Sequence, residues 1–149
     1  MRGLLVALVL LSGCRPAPRE WTLHGQRVKA LVPRGWTEHL NQAGEPTLAL
    51  TDRPTPWVSL HLDSDAAPTP AERVANVARD QLAGVEPTAR ADGKFELFSE
   101  DPDGKRSGWL LMPGAGNQVL MCAWSFIDAG AHEAQARSFC DSVELLIAP

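Results

Sequence analysis

Apolar and polar residues alternate in several segments of this 149-residue chain, which is the pattern of β-strands with one buried face. The alternation is clearest over residues 57–63. Its apolar members are Val58, Leu60 and Leu62, and its polar members are Ser59, His61 and Asp63. Residues 118–126 are almost all apolar, which predicts a central strand with both faces covered. Further strands are predicted at 21–24, 27–32, 36–40, 47–51, 94–98 and 107–112.

Two segments carry helix signals. Thr69-Pro-Ala-Glu72 is a capping box with proline at the first helical position, and this helix is predicted to run to about Ala83. Its predicted apolar stripe is Ala71, Val74, Ala75, Ala78 and Leu82. A closing helix is predicted from about Ala129 to Asp141, with an inner face of Ala136, Phe139, Cys140 and Val143. Because strands and helices do not alternate, we expect an α+β fold: an antiparallel β-sheet with two main helices packed on it.

The first fourteen residues differ from the rest of the chain. An apolar run from Leu4 to Leu11 is too short to cross the ~30 Å hydrocarbon core as a helix. The run and the following Leu11-Ser12-Gly13-Cys14 resemble the signal peptide and lipobox of bacterial lipoproteins. An ordinary secretory signal with an incidental cysteine is the alternative.

The resemblance implies a three-part chain. Residues 1–13 would be the signal peptide, residues 14–20 a tether lipidated at Cys14, and residues 21–149 a single domain. The extended tether would reach only about 20 Å, so the domain would stay near a bilayer. Because Arg15 and not aspartate follows the cysteine, the resemblance favours the outer membrane, with the domain facing the periplasm.

The remaining cysteines, Cys122 and Cys140, favour a disulfide in an oxidising compartment. Two reduced core cysteines are the alternative. The formal net charge of −4, without a basic run, argues against nucleic acid as a partner.

Ser59, His61 and Asp63 have the residue types of a hydrolytic triad. Alternate residues stand about 7 Å apart along a strand, whereas a nucleophile and its base must lie within about 3 Å. We therefore interpret the three as a polar outer face and predict no catalytic residues.

A divalent-ion site at His61, Asp63 and Asp65 is also not favoured, because a single imidazole and no thiolate is available locally. No metal or other cofactor is predicted. The tryptophans could fill the core or line a groove, and we expect most of them in the core. Trp57 and His61 are the candidates for ligand or partner contact.

A second resemblance covers roughly residues 26–146. Val32-Pro-Arg-Gly-Trp36, the capped helix, and a closing helix ending in Ser142-Val-Glu-Leu145 resemble the Mog1/PsbP-like α/β sandwich, which includes LpqN and DcrB-like lipoproteins. The resemblance implies a binding or assembly module without a shared catalytic site.

Together these features predict a membrane-anchored envelope lipoprotein that is not an enzyme and that binds a protein partner or an apolar ligand near the membrane. Two alternatives stay open. One is a small envelope hydrolase that uses His61, and the other is a structural subunit of a secretion or envelope complex.

Overall fold

Two antiparallel sheets and two helices make up the fold in a computed structural model that describes residues 16–50, 57–126 and 130–146. The strands within these ranges are β1 Ala17–Leu23, β2 Gln26–Val32, β3 Trp36–Leu40, β4 Pro46–Leu50, β5 Trp57–Ser64, β6 Thr88–Ala89, β7 Phe95–Glu100, β8 Arg106–Pro113, β9 Gln118–Phe126 and β10 Glu144–Leu146. The helices are α1 Pro70–Gln81 and α2 Ala131–Asp141. The predicted α+β class is confirmed.

The large sheet has the strand order β3-β4-β5-β9-β8-β7-β6, and the small sheet has the order β1-β2-β10. All pairs in both sheets are antiparallel. Strand β9 lies in the middle of the large sheet between β5 and β8, as its nearly continuous apolar sequence predicts.

The main core lies between the large sheet on one side and the small sheet with α2 on the other. Leu60 of β5, Leu120 of β9, Val28 of β2 and Phe139 of α2 meet there, and each is almost completely buried. Helix α1 covers the opposite face of the large sheet through a smaller cluster. The large sheet is therefore covered on both of its faces.

The predicted capping box is present at the start of α1: Thr69 Oγ1 accepts from the Glu72 backbone N–H, and the Glu72 carboxylate accepts from the Thr69 backbone N–H. The predicted apolar stripe is partly wrong. Val77 and Arg73 are buried, whereas Ala71 is exposed. Arg73 can be buried because its guanidinium donates to the carbonyls of Ala67 and Pro68 in the loop before the helix. These contacts satisfy some of its hydrogen-bond donors.

Both ends of the predicted domain need correction. Residues 17–20, predicted to be tether, form the first half of β1, and Ala17 pairs with Val32. The side chains of residues 17–20 are all exposed. These residues are therefore ordered by backbone pairing with the edge of β2 and not by burial of apolar side chains. The segment Ser142–Leu145 does not end a helix. Helix α2 stops at Asp141, and β10 pairs with the other edge of β2.

The predicted disulfide is present between Cys122 of β9 and Cys140 of α2, with a Cα–Cα distance of 5.6 Å. It joins the helix to the central strand of the large sheet. Both cysteines face the main core, where Ala136 and Val143 of the predicted inner helix face are also buried.

Gly108 of β8 lies opposite Trp124 of β9, and a Cβ atom at this position would overlap the Trp124 indole. We predict that Gly108→Ala lowers the free energy of unfolding by about 1–3 kcal/mol, because a packed interior cannot make room for a methyl group without strain. Urea denaturation of the purified domain measures the change. Trp124→Leu removes most of the overlapping ring, so the double variant should lose less stability than the sum of the single variants. An unchanged midpoint for Gly108→Ala would contradict this packing.

Candidate functional site

One end of the sandwich carries an open cleft of about 770 Å³. The β1–β2 turn, the β8–β9 turn and strand β10 enclose it. The residues that line the cleft are His24, Gly25, Gln26, Arg27, Pro113, Gly114, Ala115, Gln118, Leu145 and Leu146. Its size is in the range of small-ligand sites, and the partly buried Leu145 and Leu146 give it an apolar wall.

The β1–β2 turn is a two-residue hairpin in which both central residues have positive φ, 47° at His24 and 84° at Gly25. Such turns match the twist of the flanking strands, and histidine tolerates this conformation better than most residues with a side chain. The adjacent Gln26 Nε2 donates to the carbonyl of Leu146 at 3.1 Å, which holds β10 against β2. A hydrogen bond from the first residue of β2 therefore helps to hold the cleft wall in place.

A buried carboxylate lies next to this turn. Glu45, 9% exposed, precedes β4, and its Oε1 accepts from the Leu62 backbone N–H at 3.1 Å. Its Oε2 accepts from Asn41 Nδ2 at 2.9 Å and lies 2.9 Å from His61 Nδ1. His24 Nε2, on the cleft side, lies 3.9 Å from Oε1. Glu45 thus connects the β3–β4 loop, strand β5 and the hairpin turn.

The pKa of Glu45 is lowered from its ordinary value of 4.5. Burial acts in the opposite direction and is the largest single influence on this pKa. The hydrogen bonds from Asn41, His61 and the Leu62 backbone N–H together outweigh it. The carboxylate is consequently ionised at neutral pH.

His61 also contacts a serine, since Ser59 Oγ lies 3.0 Å from His61 Nε2. The expectation that the spacing along the strand keeps the two side chains apart is therefore wrong. The reason is that the histidine ring extends along the strand and covers the spacing between alternate residues. The predicted polar outer face is also wrong for Ser59, which is buried, whereas the His61 side chain is 38% exposed. Its carboxylate partner is Glu45 from another element, and not Asp63, which is exposed and accepts from the Ser64 backbone N–H.

The order serine, imidazole and carboxylate matches the arrangement that activates a serine hydroxyl. However, Ser59 is only 3% exposed. It also lies in a strand paired on both sides, with Thr47 and Ala123, so its backbone N–H belongs to the sheet and is not available to stabilise an oxyanion. These contacts stabilise the buried Glu45 carboxylate, and they do not expose the Ser59 hydroxyl as a nucleophile.

Trp57 and His61 share a face of β5 but lie four residues apart, about 13 Å along the strand. The structure therefore does not combine them into one site. Trp57 and Trp109 are partly exposed, while Trp21, Trp36 and Trp124 are buried, as expected for a majority in the core.

Cys14 and the predicted signal peptide lie outside the described residues. Within the described ranges, no cluster of histidine, cysteine and carboxylate groups is arranged to hold a metal ion. No helix in the same ranges is both long and apolar enough to cross a membrane.

Sequence reasoning missed Glu45 as the partner of His61, and Asn41 and His24 as neighbours of Glu45. All three lie in loops that carry no motif. Glu45 meets His61 because of how β4 aligns with β5: Thr47 pairs with Ser59, so Glu45 falls beside His61.

Comparison with known proteins supports the fold alone. No protein-family model matches the sequence, and no curated protein matches it. A crystal structure from Bacteroides thetaiotaomicron, at 1.50 Å resolution, is similar with a TM-score of 0.53 and 15% sequence identity. The match covers 80% of this chain and 45% of that one, so the chain spans about half the length of its structural neighbour.

Glu45→Gln keeps the shape of the side chain and removes its charge. We predict that it lowers the free energy of unfolding at pH 7 by about 1–3 kcal/mol, the usual effect of weakening hydrogen bonds to a buried charged group. Because the pKa of Glu45 in the folded protein lies below 4.5, its stabilisation is complete above that pH and is lost as the pH falls through the folded value.

Urea denaturation at pH 7 and at pH 3 measures this dependence. The gap between wild type and Glu45→Gln should shrink at the lower pH. The exposed Glu86→Gln is the matched control and should change stability by less than about 0.5 kcal/mol. A gap that stays constant or widens at pH 3 would disprove the stabilising role of the ionised carboxylate.

Proposed function

We propose that this protein is a lipid-anchored protein of the bacterial envelope that binds a protein partner or an apolar ligand without catalysing a reaction. The observation that carries the proposal is the cleft of about 770 Å³ between the two sheets. The Mog1/PsbP-like resemblance and the lipobox resemblance of Leu11–Cys14 support the same function and belong to the proposal.

The chemistry of the cleft favours an apolar occupant. Leu145, Leu146 and Pro113 form apolar surface, and the Gln26 amide is already bonded to the Leu146 carbonyl. The guanidinium of Arg27 pairs with Glu20 at 2.8 Å, so the rim carries little net charge. A short apolar segment of a partner protein, or an apolar small molecule, fits this surface better than a strongly charged ligand.

The position of the cleft agrees with recruitment of a partner from the periplasm. Strand β1 starts at Ala17, close in sequence to Cys14, and reaches the hairpin turn at Leu23. Seven strand residues span about 20 Å. A domain anchored at Cys14 would thus hold the cleft about 20 Å beyond the point where its chain enters the fold, and an outer-membrane anchor would direct it into the periplasm.

Ala115 is an exposed residue of the cleft rim, and a carboxylate there would lie beside the apolar wall. We predict that the purified domain binds the apolar dye N-phenyl-1-naphthylamine with an increase in fluorescence, and that Ala115→Glu weakens binding about tenfold because the dye must bury a charge.

Ala91→Glu is the matched control, since Ala91 is an exposed alanine in another turn, and its affinity for the dye should equal that of wild type. Absence of dye binding by wild type, or equal loss in the two variants, would refute the cleft as an apolar binding site.

The second candidate is an envelope hydrolase, favoured by the contacts of His61 with Ser59 at 3.0 Å and Glu45 at 2.9 Å. It ranks below the binding function because Ser59 is buried in the middle of the sheet. We predict that p-nitrophenyl acetate hydrolysis by the folded protein is unchanged by Ser59→Ala and by His61→Ala. A fall of more than about 100-fold in both variants, with unfolding midpoints near that of wild type, would establish the hydrolase instead.

A further inference from the structure

A second groove lies at the opposite end of the domain, where the chain enters the fold. It has a volume of about 350 Å³. Pro16 and Leu31 contribute exposed apolar surface to it, and the buried Pro33 and Phe139 form part of its floor. We propose that this groove rests on the membrane and takes acyl-chain segments of phospholipids. The proposal depends on the lipid anchor of the proposed function.

The distance to the predicted anchor carries the argument. Pro16 lines the groove, and a single residue separates it from Cys14. Two Cα–Cα steps span at most about 8 Å. Because β1 already begins at Ala17, the tether expected at residues 14–20 is not available at its full length to lift the domain off the surface. A lipid at Cys14 therefore brings this end of the sandwich into the interfacial region of the bilayer.

The exposed side chains at this end suit that position. Leu31 is 43% exposed, on the outward face of β2, and its backbone N–H donates to Ser142 Oγ at 2.8 Å. A single exposed leucine is ordinary on a protein surface. Here it lines the same groove as the exposed Pro16, so the two side chains form one apolar surface beside the predicted anchor.

The apolar groups of the groove gain free energy when they leave water and enter the interfacial region of a bilayer. The domain would accordingly sit in one orientation, with the cleft at the opposite end facing away from the bilayer.

Site-specific photocrosslinking of the full-length, lipidated protein tests the orientation. The photoreactive residue p-benzoylphenylalanine replaces Leu31 or, as a second reporter on α2, Ser138; the control position is Ala115 in the distant cleft. The protein is reconstituted in vesicles of phosphatidylethanolamine and phosphatidylglycerol, irradiated, and analysed by intact mass. We expect phospholipid adducts from positions 31 and 138 at least fivefold more abundant than from position 115.

Labelling of cells with a palmitate analogue, lost in Cys14→Ser, separates the two proposals. If wild type is labelled but positions 31 and 138 give no more phospholipid adduct than position 115, the docked orientation is wrong while the lipid anchor of the proposed function stands. If wild type is not labelled, the anchor fails and the orientation fails with it. Labelled wild type with adducts confined to positions 31 and 138 supports the anchor and the orientation.

Discussion

Strand β9 is buried on both faces, and every layer of the fold packs against it or its neighbours. Leu120, Cys122 and Trp124 face the small sheet and α2, while Val119 faces α1. The strand is also paired on both edges, with β5 and β8. Its backbone groups are therefore satisfied without water, which permits a nearly continuous apolar sequence in the centre of a domain this small.

The disulfide and Gly108 both depend on that strand. Cys122 ties α2 to β9, so the helix keeps its position over the sheet even though its N-cap is Gly130, which offers no side-chain hydrogen bond. Gly108 leaves room on the neighbouring strand for the Trp124 indole, which fills the space a side chain would occupy. Arg137 of α2 lies over the same ring, 5.6 Å from its centroid. Covalent, steric and electrostatic contacts thus converge on one stretch of β9.

The two ends of the sandwich differ in a way that suits an anchored binding module. One end contains the entry of the chain, exposed Leu31 and the smaller groove. The other contains the larger cleft and the buried Glu45 carboxylate, whose hydrogen bonds with Asn41 and with the Leu62 backbone N–H join the β3–β4 loop to β5. His24 belongs to the cleft lining and its Nε2 also lies 3.9 Å from Glu45 Oε1, so the cleft and the buried carboxylate are adjacent. In the proposed function, this end meets the partner while the other end meets the membrane.

The sequence alone determined the features that depend on local periodicity and local chemistry. Alternation at 57–63 identified a strand, the Thr69–Glu72 capping box identified a helix start, and the two cysteines beyond Cys14 identified a disulfide. Only the tertiary structure decided which distant groups meet. Glu45 reaches His61 because of the β4–β5 register. Residues 17–20 are ordered because their backbone pairs with the edge of β2, although their side chains are exposed. Pairing register is a property of two segments together, so neither segment's own sequence contains it.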